Sequence, residues 1–432
     1  MTKFFGTDGI RGVVNKDLTL ELAFDVGFAL GKYGKKFVIG KDTRKSGQKL
    51  ATFFCDGIIS GGGEIIDVGI IPTPGISFLT KALGCDFGVM ITASHNPKEY
   101  NGIKIFDKNG EKISKEFEDE LEKNILSGKK LKSHKMGKYV FNTQKTNIYR
   151  DFIIKNCKNS LKGLNVLLDC ANGASFKIAP EVFGALGADI ECLYCDDNGD
   201  LINENCGALY AKNLSIKAKK YDITFTFDGD ADRVVPVYKD GQIIDGDRIL
   251  LILLKYYRLF ENFDDKQVVA TIMSNLALEE ELKKEGVLLL RTDVGDKNIT
   301  QALKKFNLKL GAEQSGHIIL MEYCPTGDGI MCAVKLCEVL LNAPQIFEYV
   351  MNLKFYPQIL KNVKTDKSIL DKPEFLEFLS ECKRKIGSDG RVLVRPSGTE
   401  PLIRLMVEHK AEERAKGIIK KIETKFVELK NT

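Results

Sequence analysis

Three aspartates alternate with small residues in the middle of the chain, directly after an apolar run. Residues 227–233 read Phe-Asp-Gly-Asp-Ala-Asp-Arg, so Asp228, Asp230 and Asp232 share one loop. Carboxylates this close repel one another unless a cation neutralises them, and ligation by oxygen alone favours a hard ion. The loop therefore predicts a metal site. Mg²⁺ is the expected ion because it keeps coordination positions that a substrate phosphate oxygen can fill.

This acidic loop has other interpretations. A calcium-binding EF-hand requires glycine at its sixth position and glutamate at its twelfth, where this chain has Arg233 and Lys239, so that class of site is excluded. In a phosphatase of the haloacid dehalogenase type, Asp228 would be the nucleophile and Asp230 the acid, but that motif has threonine or valine at the position of Asp232. A solvated acidic turn without a ligand is the third interpretation.

A serine lies just past the end of another apolar run. Residues 92–97 read Thr-Ala-Ser-His-Asn-Pro, and the Asn-Pro pair favours a reversal of the chain. Open α/β sheets bind ligands at the carboxyl ends of their strands, so we expect Ser94 to be an exposed nucleophile at such an edge. A turn-capping role for Ser94 is the alternative. His95 is adjacent, but neighbouring side chains in a turn are expected to point apart, which argues against a hydrolase triad.

A polar loop near the C-terminus has the composition of a phosphate site. Residues 395–404 read Arg-Pro-Ser-Gly-Thr-Glu-Pro-Leu-Ile-Arg between two apolar strands. Glycine lets the backbone approach a ligand closely, hydroxyl groups donate hydrogen bonds, and arginine can bind two phosphate oxygens at once. A polar hairpin turn would have a similar composition. The candidate phosphate ligands are Arg395, Ser397, Gly398, Thr399 and Arg404.

A fourth loop, residues 311–317, reads Gly-Ala-Glu-Gln-Ser-Gly-His at the end of another strand. Glu313 and Ser315 can accept and donate hydrogen bonds to sugar hydroxyl groups. His317 is one of four histidines in the chain. Because a lone histidine is more often structural than catalytic, this loop alone indicates little.

The elements that position these loops follow a regular pattern. Strand-length apolar runs alternate with helix-length amphipathic runs through about the first 340 residues, which predicts α/β units. We expect three similar α/β domains with mixed, largely parallel sheets, and then a small C-terminal α+β domain. Strands predicted at 87–91, 223–227 and 308–310 precede three of the loops, and a helix over 46–59 is predicted to begin at a Ser46 cap. The predicted domain limits are 1–150, 151–250, 251–355 and 356–432.

The composition limits the function classes. The 432 residues include 64 basic and 59 acidic ones that are interspersed, which argues against nucleic acid as a partner and allows a small anionic ligand. No segment approaches the ~18 uninterrupted apolar residues of a membrane span. The N-terminus lacks the hydrophobic core of a secretory signal, so we expect a cytoplasmic protein with no membrane role. Cys192 and Cys195 have zinc-ligand spacing, but no second pair or nearby histidine supports such a site.

Together the four loops resemble those of the α-D-phosphohexomutase superfamily, and the resemblance covers essentially the whole chain. Residues 5–12, Phe-Gly-Thr-Asp-Gly-Ile-Arg-Gly, are similar to its N-terminal signature. The loops are similar to its phosphoserine, metal-binding, sugar-binding and phosphate-binding loops. Residues 5–12, 202–207 (Ile-Asn-Glu-Asn-Cys-Gly) and 313–317 are most similar to the bacterial phosphoglucosamine mutase branch.

The resemblance implies a fold and a reaction. Four domains would each present one loop to a central cleft. The reaction would be an intramolecular phosphotransfer between glucosamine 6-phosphate and glucosamine 1-phosphate, which supplies UDP-N-acetylglucosamine and cell-wall precursors. Ser94 would carry the phosphate, and glucosamine 1,6-bisphosphate would be both intermediate and primer. The partner would be a small sugar phosphate, and a homodimer is compatible with the resemblance.

The resemblance also implies roles for individual residues. The Ser94 phosphate would hold Mg²⁺ together with Asp228, Asp230 and Asp232. Lys104 and His317 would be the proton-transfer candidates, and Lys104 would need a pKa lowered by burial and nearby cations. The catalytic set would be Ser94, Arg11, Lys104 and His317. The substrate-binding set would be Glu313, Ser315, Arg233, Arg395, Ser397, Gly398, Thr399 and Arg404.

Three alternatives to this function stay open. A phosphoglucomutase or phosphomannomutase would use the same mechanism, because Glu313 and Ser315 would hold the 3- and 4-hydroxyl groups that glucose, mannose and glucosamine share. A hydrolase would release phosphate through Asp228. A non-catalytic sugar-phosphate sensor would need neither Ser94 nor the acidic triplet, which favours an enzyme.

Overall fold

The computed structural model describes residues 4–6, 8–128, 137–261, 263–396 and 402–430. Their packing divides the chain into two compact units. Unit 1 is Met1–Met273 with Leu289–Met351, and unit 2 is Ser274–Leu288 with Asn352–Thr432. The serine, acidic and Glu313 loops therefore all belong to unit 1.

The first sheet of unit 1 is mixed and has seven strands. They are β1 (Phe5–Gly6), β2 (Gly9–Val13), β3 (Lys36–Lys41), β4 (Glu64–Ile70), β5 (Phe87–Ile91), β6 (Tyr100–Asp107) and β7 (Tyr139–Phe141). Their order is β1-β2-β6-β5-β3-β4-β7, with β5 parallel to β3 and antiparallel to β6. Residues 37–40 of β3 are all buried, as expected for a strand covered on both faces. The accompanying helices are α1 (Leu20–Leu30), α2 (Lys45–Ser60), α3 (Thr73–Ala82), α4 (Lys115–Leu126) and α5 (Thr146–Lys155).

The start of α2 differs from its prediction. The helix begins at Lys45, and Arg44 occupies the N-cap position without a capping hydrogen bond from its side chain, so the predicted Ser46 cap is wrong. The guanidinium of Arg44 is buried and donates to backbone carbonyls beyond β5 instead. A contact between distant segments therefore sets this helix boundary, where a local capping rule predicted a different one.

The second sheet of unit 1 has four strands, β8 (Asn165–Asp169), β9 (Asp189–Leu193), β10 (Ile223–Phe227) and β11 (Val234–Tyr238). Their order is β11-β10-β8-β9, and only the β10–β11 pair is antiparallel. Every residue of β10 is buried, which fixes the start of the acidic loop that follows it. The helix α6 (Ile178–Ala185) accompanies this sheet, and short 3₁₀ turns occupy Ala208–Leu214 and Lys217–Lys220.

The third sheet of unit 1 has the order β13-β12-β14-β15. Its strands are β12 (Gln267–Thr271), β13 (Leu288–Thr292), β14 (Leu310–Ala312) and β15 (Ile318–Leu320). The Glu313 loop joins the antiparallel strands β14 and β15. The surrounding helices are α7 (Gly246–Phe260), α9 (Asp296–Lys305), α10 (Gly329–Asn342) and α11 (Pro344–Asn352).

Unit 2 contains a three-stranded antiparallel sheet. The strands β16 (Gln358–Val363), β17 (Gly390–Pro396) and β18 (Ile403–His409) lie in the order β16-β18-β17. The helix α8 (Leu276–Lys284) belongs to this unit, because the Leu276 N–H donates to the buried Glu408 carboxylate at 2.7 Å. The other helices are α12 (Pro373–Ile386) and α13 (Glu412–Lys430).

Across the described ranges, no single helix is both long and apolar enough to span a membrane. The helices α10 and α11 meet that requirement only as a pair, across a bend of 104°.

A buried ion pair joins α10 to the segment after α5. The Lys335 ammonium lies 2.8 Å from a Glu338 carboxylate oxygen and 2.7 Å from the Asn156 carbonyl oxygen. The Lys158 N–H donates to the other Glu338 oxygen. Both charged side chains are fully buried, so each depends on the other for neutralisation.

We predict that Glu338→Gln lowers the free energy of unfolding by about 3 kcal/mol, because it leaves the buried Lys335 charge without a counter-ion. Urea denaturation followed by circular dichroism measures the change. The matched control is Glu413→Gln, which breaks an exposed pair with Lys416 at the same helical spacing and should cost less than about 0.5 kcal/mol. Equal losses in the two variants would contradict the assignment.

Candidate active site

The serine loop and the acidic loop meet in unit 1. Ser94 follows β5, Asp228 follows β10, and the Ser94 hydroxyl donates to the Asp228 Oδ2 at 2.7 Å. The Ser94 residue is only 1% exposed, so the prediction of an exposed serine is wrong. The acidic loop covers the serine, and the sequence order of the two loops does not indicate this contact.

The serine loop turns sharply at Ser94 itself. Ser94 has a left-handed backbone with φ of 52°. The His95 Nδ1 lies 3.3 Å from the Ser94 Oγ, so the expectation that these adjacent side chains point apart is also wrong. Burial, helped by the charges of Arg233 and Arg11, lowers the pKa of His95 to about 4. The imidazole beside the serine is therefore neutral at physiological pH.

The buried guanidinium of Arg44, the residue before α2, binds the serine loop. Its Nε donates to Asp42 at 2.9 Å. One terminal nitrogen donates to the carbonyl oxygens of Ser94 at 2.9 Å and Asn96 at 2.7 Å. The other donates to the carbonyl oxygens of Pro97 and Tyr100. All five N–H groups of the side chain are used in this way, which fixes the backbone from the serine onward.

The acidic loop forms a buried cluster of three carboxylates. One ligand atom from each of Asp228, Asp230 and Asp232 lies within 4.8 Å of the others, and all three residues are at most 4% exposed. The Asp230 Oδ1 and Asp232 Oδ1 are buried and accept no hydrogen bond. Buried acceptors without donors are costly unless a cation neutralises them, so these residues fit a divalent metal ion. Burial and the charges of Asp232 and Asp230 raise the pKa of Asp228 well above its ordinary value.

Two residues of the first sheet region hold Asp230 in place. The Thr73 hydroxyl donates to the Asp230 Oδ2 at 2.5 Å, and the Thr73 N–H donates to the Asp230 carbonyl oxygen at 2.9 Å. The Lys104 ammonium lies 2.8 Å from the same Oδ2 and 3.0 Å from the Asp232 Oδ2. The acidic loop is therefore fixed by side chains from α3 and β6.

The environment of Lys104 overturns one expectation. Burial alone would lower the pKa of this ammonium, but the carboxylates of Asp230, Asp232 and Asp8 outweigh burial and raise the pKa well above its ordinary value. The predicted lowering is therefore wrong. Lys104 supplies a positive charge at this site, whereas a proton-accepting amine would require surrounding cations.

Arg11 and Arg233 bring further positive charge to the same place. Arg11 donates to the Asn96 side-chain oxygen at 3.0 Å and to the Asp8 carboxylate at 2.7 Å. The Arg233 Nε is buried, makes no hydrogen bond and lies 3.8 Å from the Asp232 Oδ1. A buried guanidinium N–H without an acceptor is suited to an anionic ligand such as phosphate.

The Glu313 loop lies beside the acidic loop. The Glu313 carboxylate accepts from the Gly295 N–H at 2.9 Å and from the Ser315 hydroxyl at 3.2 Å. The His317 Nε2 accepts from the Gly327 N–H at 3.0 Å, which leaves its proton on Nδ1, 3.6 Å from the Asp232 Oδ1. The loop requires glycine at Gly316, where φ is 90° and a Cβ would lie 2.3 Å from the Val234 carbonyl oxygen.

The predicted phosphate loop is described only at its two ends, in unit 2. Arg395 on β17 and Arg404 on β18 are directly opposite each other in the antiparallel register. Ser397, Gly398 and Thr399 lie outside the described residues.

Several residues of the site had no predicted role. Asp8 lies in the N-terminal signature and Asn203 in the 202–207 segment, but the sequence did not predict what either side chain contacts. For Thr73 and Arg44 the only indication of a role in the sequence was a position near the end of a strand. All four reach the site from elements far away in the chain, which local patterns do not indicate.

Models of the phosphoglucomutase/phosphomannomutase family match the chain in four consecutive parts. The alpha/beta/alpha domains I, II and III match residues 2–132, 147–241 and 245–354. The C-terminal domain matches residues 360–425. The matches cover both units and all four predicted loops.

Individual proteins are similar over nearly the full length. A phosphoglucosamine mutase of Bacillus subtilis is 40% identical over 440 residues, which cover 98% of each chain. The crystal structure of a phosphoglucomutase/phosphomannomutase family protein from Burkholderia thailandensis has a TM-score of 0.84 at 25% identity and covers 98% of this chain and 97% of that one. An N-acetylphosphoglucosamine mutase from Aspergillus fumigatus, in complex with GlcNAc-6P and magnesium, shares the fold, with a TM-score of 0.67 at 18% identity over 97% of this chain and 94% of that one.

These similarities confirm the predicted superfamily and the α/β fold class. The chain belongs to the phosphoglucomutase/phosphomannomutase family of enzymes, and its 40% identical relatives are phosphoglucosamine mutases.

Proposed function

We propose that this protein acts in the cytoplasm and interconverts glucosamine 6-phosphate and glucosamine 1-phosphate by passing a phosphoryl group through Ser94. One observation carries this proposal. The Ser94 Oγ lies 2.7 Å from the Asp228 Oδ2, within the same buried cluster as Asp230 and Asp232. A phosphate on this hydroxyl would lie directly against the candidate metal ligands.

The stoichiometry of the reaction requires a phosphate on the protein. The substrate has one phosphate, whereas the proposed intermediate, glucosamine 1,6-bisphosphate, has two. The second phosphate therefore comes from Ser94, and the intermediate returns its other phosphate to the same residue. Added bisphosphate would act as a primer for enzyme that has lost its phosphate.

Asp228, Asp230 and Asp232 would hold Mg²⁺, as the oxygen-only ligand set and the orphaned carboxylate oxygens favour. When bound, the ion would withdraw charge from the transferring phosphate. Arg11, Arg233 and Lys104 would stabilise the same charge from the protein side. Phosphoryl transfer depends mainly on positioning and charge neutralisation, so three cations around one serine suit it.

His317 has a different proposed role from proton transfer to the substrate. Both of its ring nitrogens face protein groups, the Gly327 N–H and the Asp232 carboxylate. In this orientation it would steady Asp232 rather than accept a substrate proton. Lys104 would remain an ammonium and would act as a charge.

The remaining loops would bind the rest of the substrate. Glu313 and Ser315 would hold sugar hydroxyl groups. The C-terminal loop would bind the phosphate that is not reacting in each half-cycle, and we propose that each of the domains contributes one loop. The proposed phosphate ligands are Arg395, Ser397, Gly398, Thr399 and Arg404, and the proposed domain limits are 1–150, 151–250, 251–355 and 356–432.

A phosphoglucomutase or phosphomannomutase activity is the second candidate. The family models that match the chain carry those two names. Turnover measured on the 6-phosphates of glucosamine, glucose and mannose in one coupled assay separates the candidates. We expect glucosamine 6-phosphate to have the highest kcat/KM, and a higher value for either other sugar would refute the aminosugar assignment.

We predict that dephosphorylated enzyme is nearly inert and that a trace of glucosamine 1,6-bisphosphate restores turnover as one phosphate appears on the protein. Intact-protein mass and a coupled assay measure both quantities. Ser94→Ala should gain no phosphate and no activity, whereas the control Ser127→Ala, at an exposed helix end, should behave like the native enzyme. Full activity in enzyme that is free of phosphate and bisphosphate would refute the carrier mechanism.

We predict that Asp230→Asn folds but binds Mn²⁺ and Mg²⁺ weakly and loses most turnover, because one ligand charge is removed while the side-chain volume is kept. Calorimetry with each metal and circular dichroism test this. The control is Asp197→Asn, because Asp197 is an exposed carboxylate in the same sheet region. Native metal affinity in Asp230→Asn, or turnover that survives exhaustive chelation, would contradict the metal site.

We predict that Arg404→Lys raises KM for the sugar phosphate, because a point charge replaces a fork that can bind two oxygens. Glucosamine 1,6-bisphosphate should still transfer one phosphate to Ser94 of each chain, as measured by intact-protein mass. The control is Arg384→Lys on the exposed face of α12. An unchanged KM in Arg404→Ala would show that the loop is only a hairpin.

A further inference from the structure

The segment Ile202–Gly207 has no part in the chemistry proposed above, although its sequence is one of the three that resemble the phosphoglucosamine mutase branch. It lies between β9 and β10. Three of its residues have left-handed backbone, Asn203 with φ of 58°, Asn205 with 56° and Gly207 with 73°. Asparagine tolerates this conformation better than most residues, so the segment is built as a series of tight turns.

These turns direct the Asn203 side chain at the serine loop. Its Nδ2 donates to the Ser94 carbonyl oxygen at 2.9 Å and to the Asn96 carbonyl oxygen at 3.1 Å. Its own N–H donates to the Ala171 carbonyl oxygen at 3.0 Å, which anchors it to the turn after β8. The residue is 9% exposed. One buried amide thus joins the second sheet region to the backbone of the reactive serine.

The same two carbonyl groups are also held by Arg44, at 2.9 and 2.7 Å. Arg44 comes from the first sheet region and Asn203 from the second. The Ser94 and Asn96 carbonyls are therefore each bound by donors from two different parts of unit 1. A backbone fixed in this way has little freedom to shift relative to either part.

Asn203 also lies where the serine loop meets the acidic loop. A Cβ built on Gly229, between Asp228 and Asp230, would be 2.6 Å from the Ser94 carbonyl oxygen and 2.8 Å from the Asn203 Nδ2. Gly229 therefore packs directly against both groups. Three segments, namely the serine loop, the acidic loop and the 202–207 segment, meet at one carbonyl group.

We propose that Asn203 is a positioning residue that fixes Ser94 against the acidic loop, and this proposal rests on the proposed phosphotransfer through Ser94. The amide sets the Ser94 backbone, and the backbone sets the 2.7 Å approach of its Oγ to Asp228. In-line transfer is sensitive to such placement, since a displacement of about 1 Å costs on the order of 100-fold in rate. The residue touches no reacting atom.

The test compares the same substitutions at two positions of one segment. Asn203→Asp keeps the side-chain shape but turns an acceptor toward two carbonyl oxygens, and Asn203→Gly removes the donor while allowing the left-handed backbone. Asn205→Asp and Asn205→Gly are the matched controls, because Asn205 has the same backbone conformation and is exposed. All variants are first phosphorylated with glucosamine 1,6-bisphosphate and then assayed.

We expect both Asn203 variants to lose about tenfold or more in kcat and in the rate of Ser94 phosphorylation followed by intact mass, with KM within about twofold of native. Mn²⁺ affinity of the dephosphorylated protein and the urea unfolding midpoint should stay close to those of the Asn205 controls. A native kcat in Asn203→Gly would overturn the proposal. So would a loss of Mn²⁺ affinity or of stability that accounts for the loss of rate.

The native enzyme in the same assay separates this proposal from the one it rests on. Native protein that neither accepts phosphate on Ser94 nor turns over any of the three sugar 6-phosphates refutes the proposed function. Native protein that does both, alongside undiminished Asn203 variants, refutes only the positioning role.

Discussion

The mutual repulsion of three buried aspartates is the constraint on which the site depends. Asp228, Asp230 and Asp232 lie in one short loop with almost no exposure to water. Their charges are costly there unless positive groups and hydrogen-bond donors surround them. Lys104, Arg233 and the Thr73 hydroxyl supply these from three separate segments, and a metal ion would supply the rest.

Backbone pairing and helix position fix where these compensating groups lie. Lys104 is paired with Met90 across the antiparallel strands β6 and β5, close to where the chain continues to Ser94. The position of the ammonium is therefore set by the same ladder that sets the serine. Thr73 stands at the start of α3, so its hydroxyl and N–H both reach Asp230 from one rigid element.

Local patterns predicted much of this arrangement. The strands 87–91 and 223–227 have their predicted limits, because each is an apolar run of strand length. The loops that follow strand ends were found for the same reason. Three predictions from the sequence were wrong, namely the exposure of Ser94, the lowered pKa of Lys104 and the Ser46 cap at the start of α2. Each depends on a partner far away in the chain, such as the carboxylates 126 and 128 residues beyond Lys104.

The two donors that bind the Ser94 carbonyl have a consequence for which partner moves during the proposed reaction. Arg44 and Asn203 donate to the same Ser94 carbonyl oxygen from two sheet regions, which restricts the movement of this residue. In the proposed reaction, two half-reactions at one fixed serine would require the bisphosphate to present first one end and then the other. The half-turn would then be made by the ligand. Between the two transfers the protein would have to give a small molecule with two phosphate groups room to turn without letting it diffuse away.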